Sequence, residues 1–480
     1  MITEIDKAEN NLLACATYLA EKIKSSDGYA EAISRIIPYH LAKNDVDLSA
    51  DLADSVAEPF TRDDLLTKVA VKCAEIDDDE YALQLVDAIE DFGHKSLATE
   101  KIVAVKAQKN EFEKAFKIAE SLNDDTNALA SIAIRQNIGD ALQTVDKIEF
   151  SAAKVHTLLE LYHREKDVNL LETAVSAADE IEFDEEKLRS YNDIATNFIA
   201  ADRNDRAIEI LSKALQIAEK IDGVRRDGFL SEISLNFFRA GTVDLADRTL
   251  DAVGDKYHIA TTLFNFSKEY QAKELLDDSL ETLDESHEML KSQTDREVRD
   301  SNARFELFAA IAVRFASLGK NERAIEIATQ NPFEEMRNYA LTQIGQICIL
   351  QEKDDLARQS INLINEESAK MFALISLSEA YKKAEKPVEA EQMLHQAHAL
   401  CETVPQLTQR SIAFNDICEN LGETEKSRQI ATENLTVISK ILDETQRAIA
   451  VVHLSKTFEK LNFTLNENEK ELLAVMIRKS

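Results

Sequence analysis

A chain of 480 residues with 56 Lys and Arg against 89 Asp and Glu carries a formal charge of −33, with 10 Gly, 5 Pro, 5 Cys and no Trp. So acidic a surface excludes phosphate-backbone binding as an organising function: releasing counterions from nucleic acid takes a cationic stripe, and the basic runs are pairs such as Arg225–Arg226 and Lys382–Lys383. So few turn residues amid abundant Ala, Leu, Glu, Lys, Ile and Asp exclude a sheet protein and predict an all-α chain.

The N-terminus places acidic residues before its apolar part and lacks a basic leader region, so no secretory signal is expected. No apolar run reaches the ~18 residues of a membrane span. The five cysteines, Cys15, Cys73, Cys348, Cys401 and Cys418, show no CxxC spacing, and a reducing, cytoplasmic setting is the default expectation.

In chain order, residues 1–25 are expected to hold a capping helix over Asn10 to Ile23. From residue 26 a unit of two amphipathic helices repeats. Its second helix opens on a small residue at Ser49, Ala82, Ala115, Ala141, Leu171, Ala207, Ala246, Ala272, Ala324, Ala357, Ala390 and Ser427, most of them 30 to 39 residues apart. A period near 33 with helical apolar spacing on both sides of each anchor is the signature of a helix-turn-helix array.

Nine residues before most anchors stands a larger or apolar side chain: Cys73, Ile132, Tyr162, Phe198, Phe237, Phe315, Cys348 and Tyr381. Three of the cysteines, counting Cys418, thus fall at a core position, which predicts buried hydrophobes rather than reactive thiols. Between the two, Asn44, Asp77, Asn110, Gly241, Gly319 and Gly422 mark turns that tolerate a left-handed backbone.

Pro59, Pro332 and Pro405 mark boundaries between repeats, Pro387 marks a turn, and Asn331–Pro332–Phe333–Glu334 reads as a helix start capped by Asn331. Pro38 predicts a kink or break near Arg35 to Pro38.

The intervals of 26 ending at Ala141 and Ala272 predict shortened helices, and the interval of 52 from Ala272 to Ala324 predicts two long helices meeting near Ser292 to Asp295 and projecting beyond their neighbours. This divides the array into residues 26–285 and 286–440, with capping helices over residues 441–480.

The pattern Tyr191, Ile194, Ala195, Phe198, Ala207, Leu211, Ala214 resembles the tetratricopeptide repeat family. Leu341/Ile344/Gly345/Cys348/Ala357/Ile361/Ile364, Leu374/Leu377/Ser378/Tyr381/Ala390/Leu394/Ala397 and Val155/Leu158/Leu159/Tyr162/Leu171/Val175/Ala178 are further copies. The copies are degenerate: none has the family's Trp, and only Gly345 supplies its Gly. The resemblance implies a right-handed α–α superhelix of about twelve hairpins. Its concave groove, lined by the first helices, would hold an extended peptide or a partner's helix.

Residues threaded between the core positions then become the candidate groove lining: His156, Glu160, His163 and Arg164; Asn192 and Thr196; Ser231 and Arg239; and Gln346, Glu379, Lys382 and Lys383. The set does not match the Lys/Asn clamp with which chaperone-binding members of the family hold a terminal carboxylate. His156, Glu160 and His163 share one helical face, as metal ligands would, but one helix supplies too few, and no metal or cofactor is expected.

No GxSxG, HExxH or phosphate-cradling Gly loop occurs. The expectation is a non-enzymatic scaffold or adaptor for protein or peptide partners, basic ones suiting its charge, with service as an assembly factor among its uses. It would bind neither nucleic acid nor membrane. The alternative is a regulator that senses a small ligand or peptide in the groove.

Overall fold

The computed structural model describes residues 3–293 and 300–480, and among these every regular element is helical. The chain runs α1 (Ile5–Asn10), α2 (Leu12–Ala20), α3 (Ser26–Ala42), α4 (Val46–Asp54), α5 (Pro59–Glu75), α6 (Asp79–Ala88), α7 (Phe92–Gln108), α8 (Phe112–Ala119), α9 (Thr126–Ala133), α10 (Ile138–Asp146), α11 (Ser151–Glu165), α12 (Asn169–Asp179), α13 (Asp184–Ala200) and α14 (Asn204–Ala218). It continues through α15 (Val224–Arg239), α16 (Val243–Asp251), α17 (Lys256–Ala272), α18 (Leu276–Lys291), α19 (Ser301–Ser317), α20 (Asn321–Gln330), α21 (Glu334–Leu350), α22 (Asp354–Asn362), α23 (Glu367–Lys383), α24 (Pro387–Cys401), α25 (Leu407–Leu421), α26 (Glu425–Ile438), α27 (Glu444–Lys460) and α28 (Glu467–Lys479).

Most hairpins are built by the same local rule. Five residues before the anchor the backbone turns left-handed, with φ between 57° and 86°, at Asn44, Asp77, Asn110, Lys166, Asp202, Gly241, Glu274, Gly319, Glu352, Glu385 and Gly422. In most of these turns the next amide folds back onto the carbonyl nine before the anchor, as Arg203 N does to Phe198 O and Lys386 N to Tyr381 O, both at 2.9 Å, while at Lys166 and Gly422 the left-handed residue's own amide bonds there, to Tyr162 O at 2.8 Å and Cys418 O at 3.0 Å. That bond closes the first helix and aims the second back along it. The anchors Ala82, Ala115, Ala207, Ala246, Ala324 and Ala357 have no exposed surface, because a small side chain there lets the two helices approach. Gly345 serves the same purpose between helices: a Cβ there would lie 2.9 Å from Ser360 Oγ and 3.3 Å from Leu377 Cδ1.

The left-handed residue at Glu274 corrects one anchor. Ala272 ends α17, and the second helix opens at Leu276, so the anchor is the fully buried Ser279, with Tyr270 at the large position nine before it. The hydroxyl of Ser279 donates to Ser267 O across the hairpin at 2.7 Å. The intervals become 33 from Ala246 and 45 to Ala324. No shortened helix precedes α18. The pair of unusually long helices is not found either: α18 has 16 residues, against 15 in α14 and α24, and α19 has 17, like most first helices. Their expected meeting point falls partly on residues 294–299, outside the described residues. The other short interval does come from short helices, 8 residues each in α8 and α9. In that hairpin Asn137 caps α10 in place of a left-handed turn.

Two proline readings also change. α3 continues through Pro38, which is exposed, so the missing donor falls on the solvent side while Ile33, Ile36 and Ile37 hold the other side fully buried. Asn331 does not cap a helix starting at Pro332. It closes the end of α20, accepts from Phe333 N at 3.1 Å and donates to Phe305 O at 3.0 Å, and α21 starts at Glu334. Pro59 and Pro387 occupy the first turns of α5 and α24.

The chain divides into two compact units, Met1–Val105 with Leu341–Ser480, and Lys106–Ala340. In the first, the two ends of the chain meet. α2 lies along α27 as second helices elsewhere lie along their first helices, α3 packs on α27 beside it, and α28 packs on α1. Every residue of α2 is buried. First helices therefore follow one another as α23, α25, α27, α3 and α5, the series running through the termini. In the second unit the core runs through Tyr162, Phe198, Phe237 and Phe238, the last stacked on Phe266 with centroids 4.3 Å apart. Each such fully buried ring contributes roughly 1.5–3 kcal/mol.

All five cysteines are buried, and none forms a disulfide among the described residues. Burial pushes the thiols of Cys15, Cys401 and Cys418 up to about 12 and that of Cys73 to about 11, which keeps them protonated and inert.

Candidate functional site

Two columns of residues on the first helices lie between the positions that close the hairpins. Eleven residues before the anchor, successive first helices present Glu160, Thr196, Leu235, Lys268, Val313, Gln346, Glu379 and Asp416. Fifteen before it they present His156, Asn192, Ser231, Phe264 and Ala309. Most candidate residues belong to these two columns.

In the second unit, His156, Glu160 and His163 are exposed on α11, and Arg164 donates to Ile134 O at the end of α9 at 2.6 Å. Between α13 and α15 the structure brings several candidates together. Asn192, buried, donates to Glu232 Oε2 at 3.0 Å and accepts from Asn236 Nδ2 at 3.0 Å, and Thr196 donates to Asn192 O at 2.9 Å. Ser231 is buried beside them with its hydroxyl unpaired. Arg239 binds Glu269 on α17 at 2.7 Å. These groups tie one first helix to the next.

In the first unit, Gln346 donates to Ser376 O at 2.9 Å, joining α21 to α23, and Lys382 reaches from α23 to Asn420 O and Asn420 Oδ1 on α25. Glu379, Lys382 and Lys383 are exposed on α23. Beside them, Asp416 is carried up to about 6 by burial first and then by the neighbouring Glu419 and Glu379, against the pull of Lys456. Asn434, in a glycosylation-like triplet, is buried and donates to Asn415 Oδ1 at 2.9 Å.

Two cavities open on the first-helix side of the second unit. One, of about 630 Å³, lies between Glu185, Arg189 and Asp193 of α13 and Arg225, Gly228, Phe229 and Glu232 of α15. Its charges answer each other: Arg225 pairs with Glu185 at 2.8 Å, and the Arg189 guanidinium covers the Phe229 ring at 5.8 Å. The other, of about 620 Å³, lies where α17 and α19 meet far less closely than α15 and α17 do. Phe264 of α17 and Met336 and Tyr339 of α21 wall it, and Ala309, Ala310 and Val313 of α19 floor it. No sequence candidate lies in either. With Ser279 as the anchor, Phe264 and Lys268 occupy the columns of His156 and Glu160; the misplaced anchor at Ala272 had hidden them.

Helical hairpins in series, most of them closed by a left-handed turn five residues before the anchor, make up the architecture. The chain is an all-helical array of hairpins whose repeats resemble the tetratricopeptide pattern. No protein-family model matches this solenoid, and no curated protein sequence does. Among solved structures it is similar to Naa15 in its complex with Naa10 and HypK, at 12% identity over 98% of this chain and 81% of that one, with a TM-score of 0.32. It is also similar to Cut9 bound to Hcn1 of the APC/C, at 13% identity over 97% and 93% with a TM-score of 0.22. A signal-transduction ATPase of Pyrococcus horikoshii with a tetratricopeptide repeat sensor matches at 13% identity over 86% and 72%, with a TM-score of 0.24.

Among the described residues, no group of three His, Cys, Asp or Glu side chains is placed to hold a metal ion. No described helix is long and apolar enough to cross a membrane.

Proposed function

We propose that the protein is a non-enzymatic interaction scaffold of the cytoplasm that captures peptide or helical segments of other proteins on its first-helix face. One observation carries this reading: the two cavities described above open between consecutive first helices, away from the packing within each hairpin. A groove between packed helices offers apolar floor and polar rim at a spacing that suits a helix or an extended chain. The long-range field of a chain with net charge −33 draws basic partners to it, while contact chemistry is decided locally, within a Debye length of about 8 Å. Service as an assembly factor belongs to this reading.

Photo-crosslinking tests it. A benzophenone side chain placed at Thr196 on a first helix should capture specific protein partners in cells, and one at Ser212 on the second helix α14 should not. Equal capture from both positions would overturn the proposal. Stabilisation of the protein by small metabolites, with no adducts at Thr196, would move the reading to ligand sensing.

A further inference from the structure

The interval where the repeat rhythm fails leads into α19, where the first-helix row loosens. The cavity there differs from its neighbour in being apolar at its floor and cationic at one end. Ala309, Ala310 and Val313 keep the floor low, Phe264 and Met336 form walls, and Tyr339 stands 55% exposed with no aromatic partner among the described residues. At one end Arg314, in the last turn of α19, lines the cavity, and Lys268 of α17 lies just beyond it, against the Phe264 wall. Neither makes an ion pair among the described residues. Arg314 Nε is buried with no hydrogen-bond acceptor, and Nη2 has only Ser267 O at 3.3 Å. Lys268 Nζ lies over the Phe264 ring at 4.2 Å and reaches Asn265 Oδ1 at 3.3 Å. The nearby Arg239 is already bound to Glu269. Burial depresses both Lys268 and Arg314, and for Lys268 the neighbouring Arg314 and Arg239 add to it while Glu269, already engaged by Arg239, opposes it. Glu306, two helical turns earlier on α19, marks the opposite end of the cavity.

On a surface dominated by carboxylates, two cations that form no ion pair among the described residues, at the edge of an apolar cavity, are complementary to an incoming anion. We infer that this cavity docks an acidic peptide segment. The segment seats an apolar side chain on Ala309, Ala310 and Val313 and lays an adjacent carboxylate against Arg314 and Lys268. Three successive first helices border the cavity, so a chain crossing it contacts all three, whereas a small acid fills one end. The inference rests on the peptide-capture reading above and names the chemistry of one of its sites.

The test uses two fluorescein-labelled helical peptides of about 14 residues, with Leu on one face and either Glu or Lys on the flanks. Anisotropy is read with the full chain at about 0.15 M salt. Since the net charge attracts any basic peptide, response to substitution is the discriminating readout. The Glu peptide should bind the wild type and weaken about tenfold or more with K268Q/R314Q, and Ala310→Trp should block it. The reversal K268E/R314E should lose the Glu peptide and gain the Lys peptide in a manner that Ala310→Trp abolishes, a gain that no misfolded chain could show. Glu-peptide binding unchanged in all variants would overturn the site while leaving peptide capture standing. Failure of both peptides together with failed crosslinking at Thr196 would overturn both. Octanoate displacing the Glu peptide completely at equal concentration would assign the cavity to small amphiphilic acids and overturn the peptide inference.

Discussion

Arg428 holds Glu469 through both guanidinium nitrogens, Nη1 to Oε1 and Nη2 to Oε2 at 2.6 Å each, and Glu469 has no exposed surface. Thr432 donates to Oε1 at 2.7 Å and the Asn466 amide to Oε2 at 2.9 Å, so α28 is tied to α26 by a fully satisfied buried carboxylate. Burial opposes its ionisation, but these donors outweigh burial and hold the carboxyl below its usual range. Arg428→Ala strands that charge and should cost about 3–5 kcal/mol in urea denaturation at pH 7. A depressed folded-state value means the contribution is present above the unfolded value of about 4.3 and is lost as pH falls through the folded one. The gap between variant and wild type should therefore close in melts below about pH 4.

Joining of the chain ends makes a second prediction. Leu19 on α2 is 2% exposed, packed in the layer that meets α27 and α3. Leu19→Ala should cost about 2–5 kcal/mol by leaving a cavity. Hydrogen exchange should show α3 and α27 losing protection together, although most of the sequence separates them. In an array whose ends do not meet, only α3 and its sequence neighbours would respond.

Asp416 should act in the opposite sense to Glu469. Its folded value of about 6 lies above the unfolded value, so the protonated form is the stabilising one. That contribution is complete below about pH 3.9 and is lost as pH rises through about 6. Asp416→Asn should raise the melting temperature at pH 7.5 and leave it unchanged near pH 4. A rise at both pH values would mean that the carboxylate is not the source of the strain.

The left-handed turns divide the residues that occupy them. Gly241, at φ 86°, closes its hairpin without steric penalty, while Glu352 does so at φ 61° with a Cβ. Gly241→Val should lower stability by about 1–2 kcal/mol in thermal melts. Glu352→Gly should fall within about 0.5 kcal/mol of the wild type, since relief of the left-handed strain is offset by a freer unfolded chain.

Much of the fold was legible because its causes are local. The small anchors, the large residue nine before them and the turn five before them are set by helix geometry within about 15 residues, and they recur. Lys166, Glu274, Glu352 and Glu385 escaped notice as turn residues because, unlike Gly, Asn or Asp, Lys and Glu carry no preference for a left-handed backbone. The turn was imposed by the hairpin, and that one unread turn, at Glu274, displaced an anchor by seven residues and hid Phe264 and Lys268. Of the candidate residues, Asn192, Thr196 and Arg239 were correctly placed on first helices, yet spacing along one helix cannot tell that Asn236 and Glu269 would engage Asn192 and Arg239 from the next.

The amino-acid sequence by itself determined an acidic, all-helical array of hairpins, since periodicity, anchors and charge balance act within a hairpin or over the whole composition. Only the tertiary structure decided that α2 serves as the partner of α27, that α17 and α19 part to leave an apolar floor, and that Lys268 and Arg314 stand near one another there with no ion pair among the described residues. Those outcomes depend on which helices become neighbours in space, and contacts between residues tens to hundreds of positions apart leave no periodic trace in a single sequence.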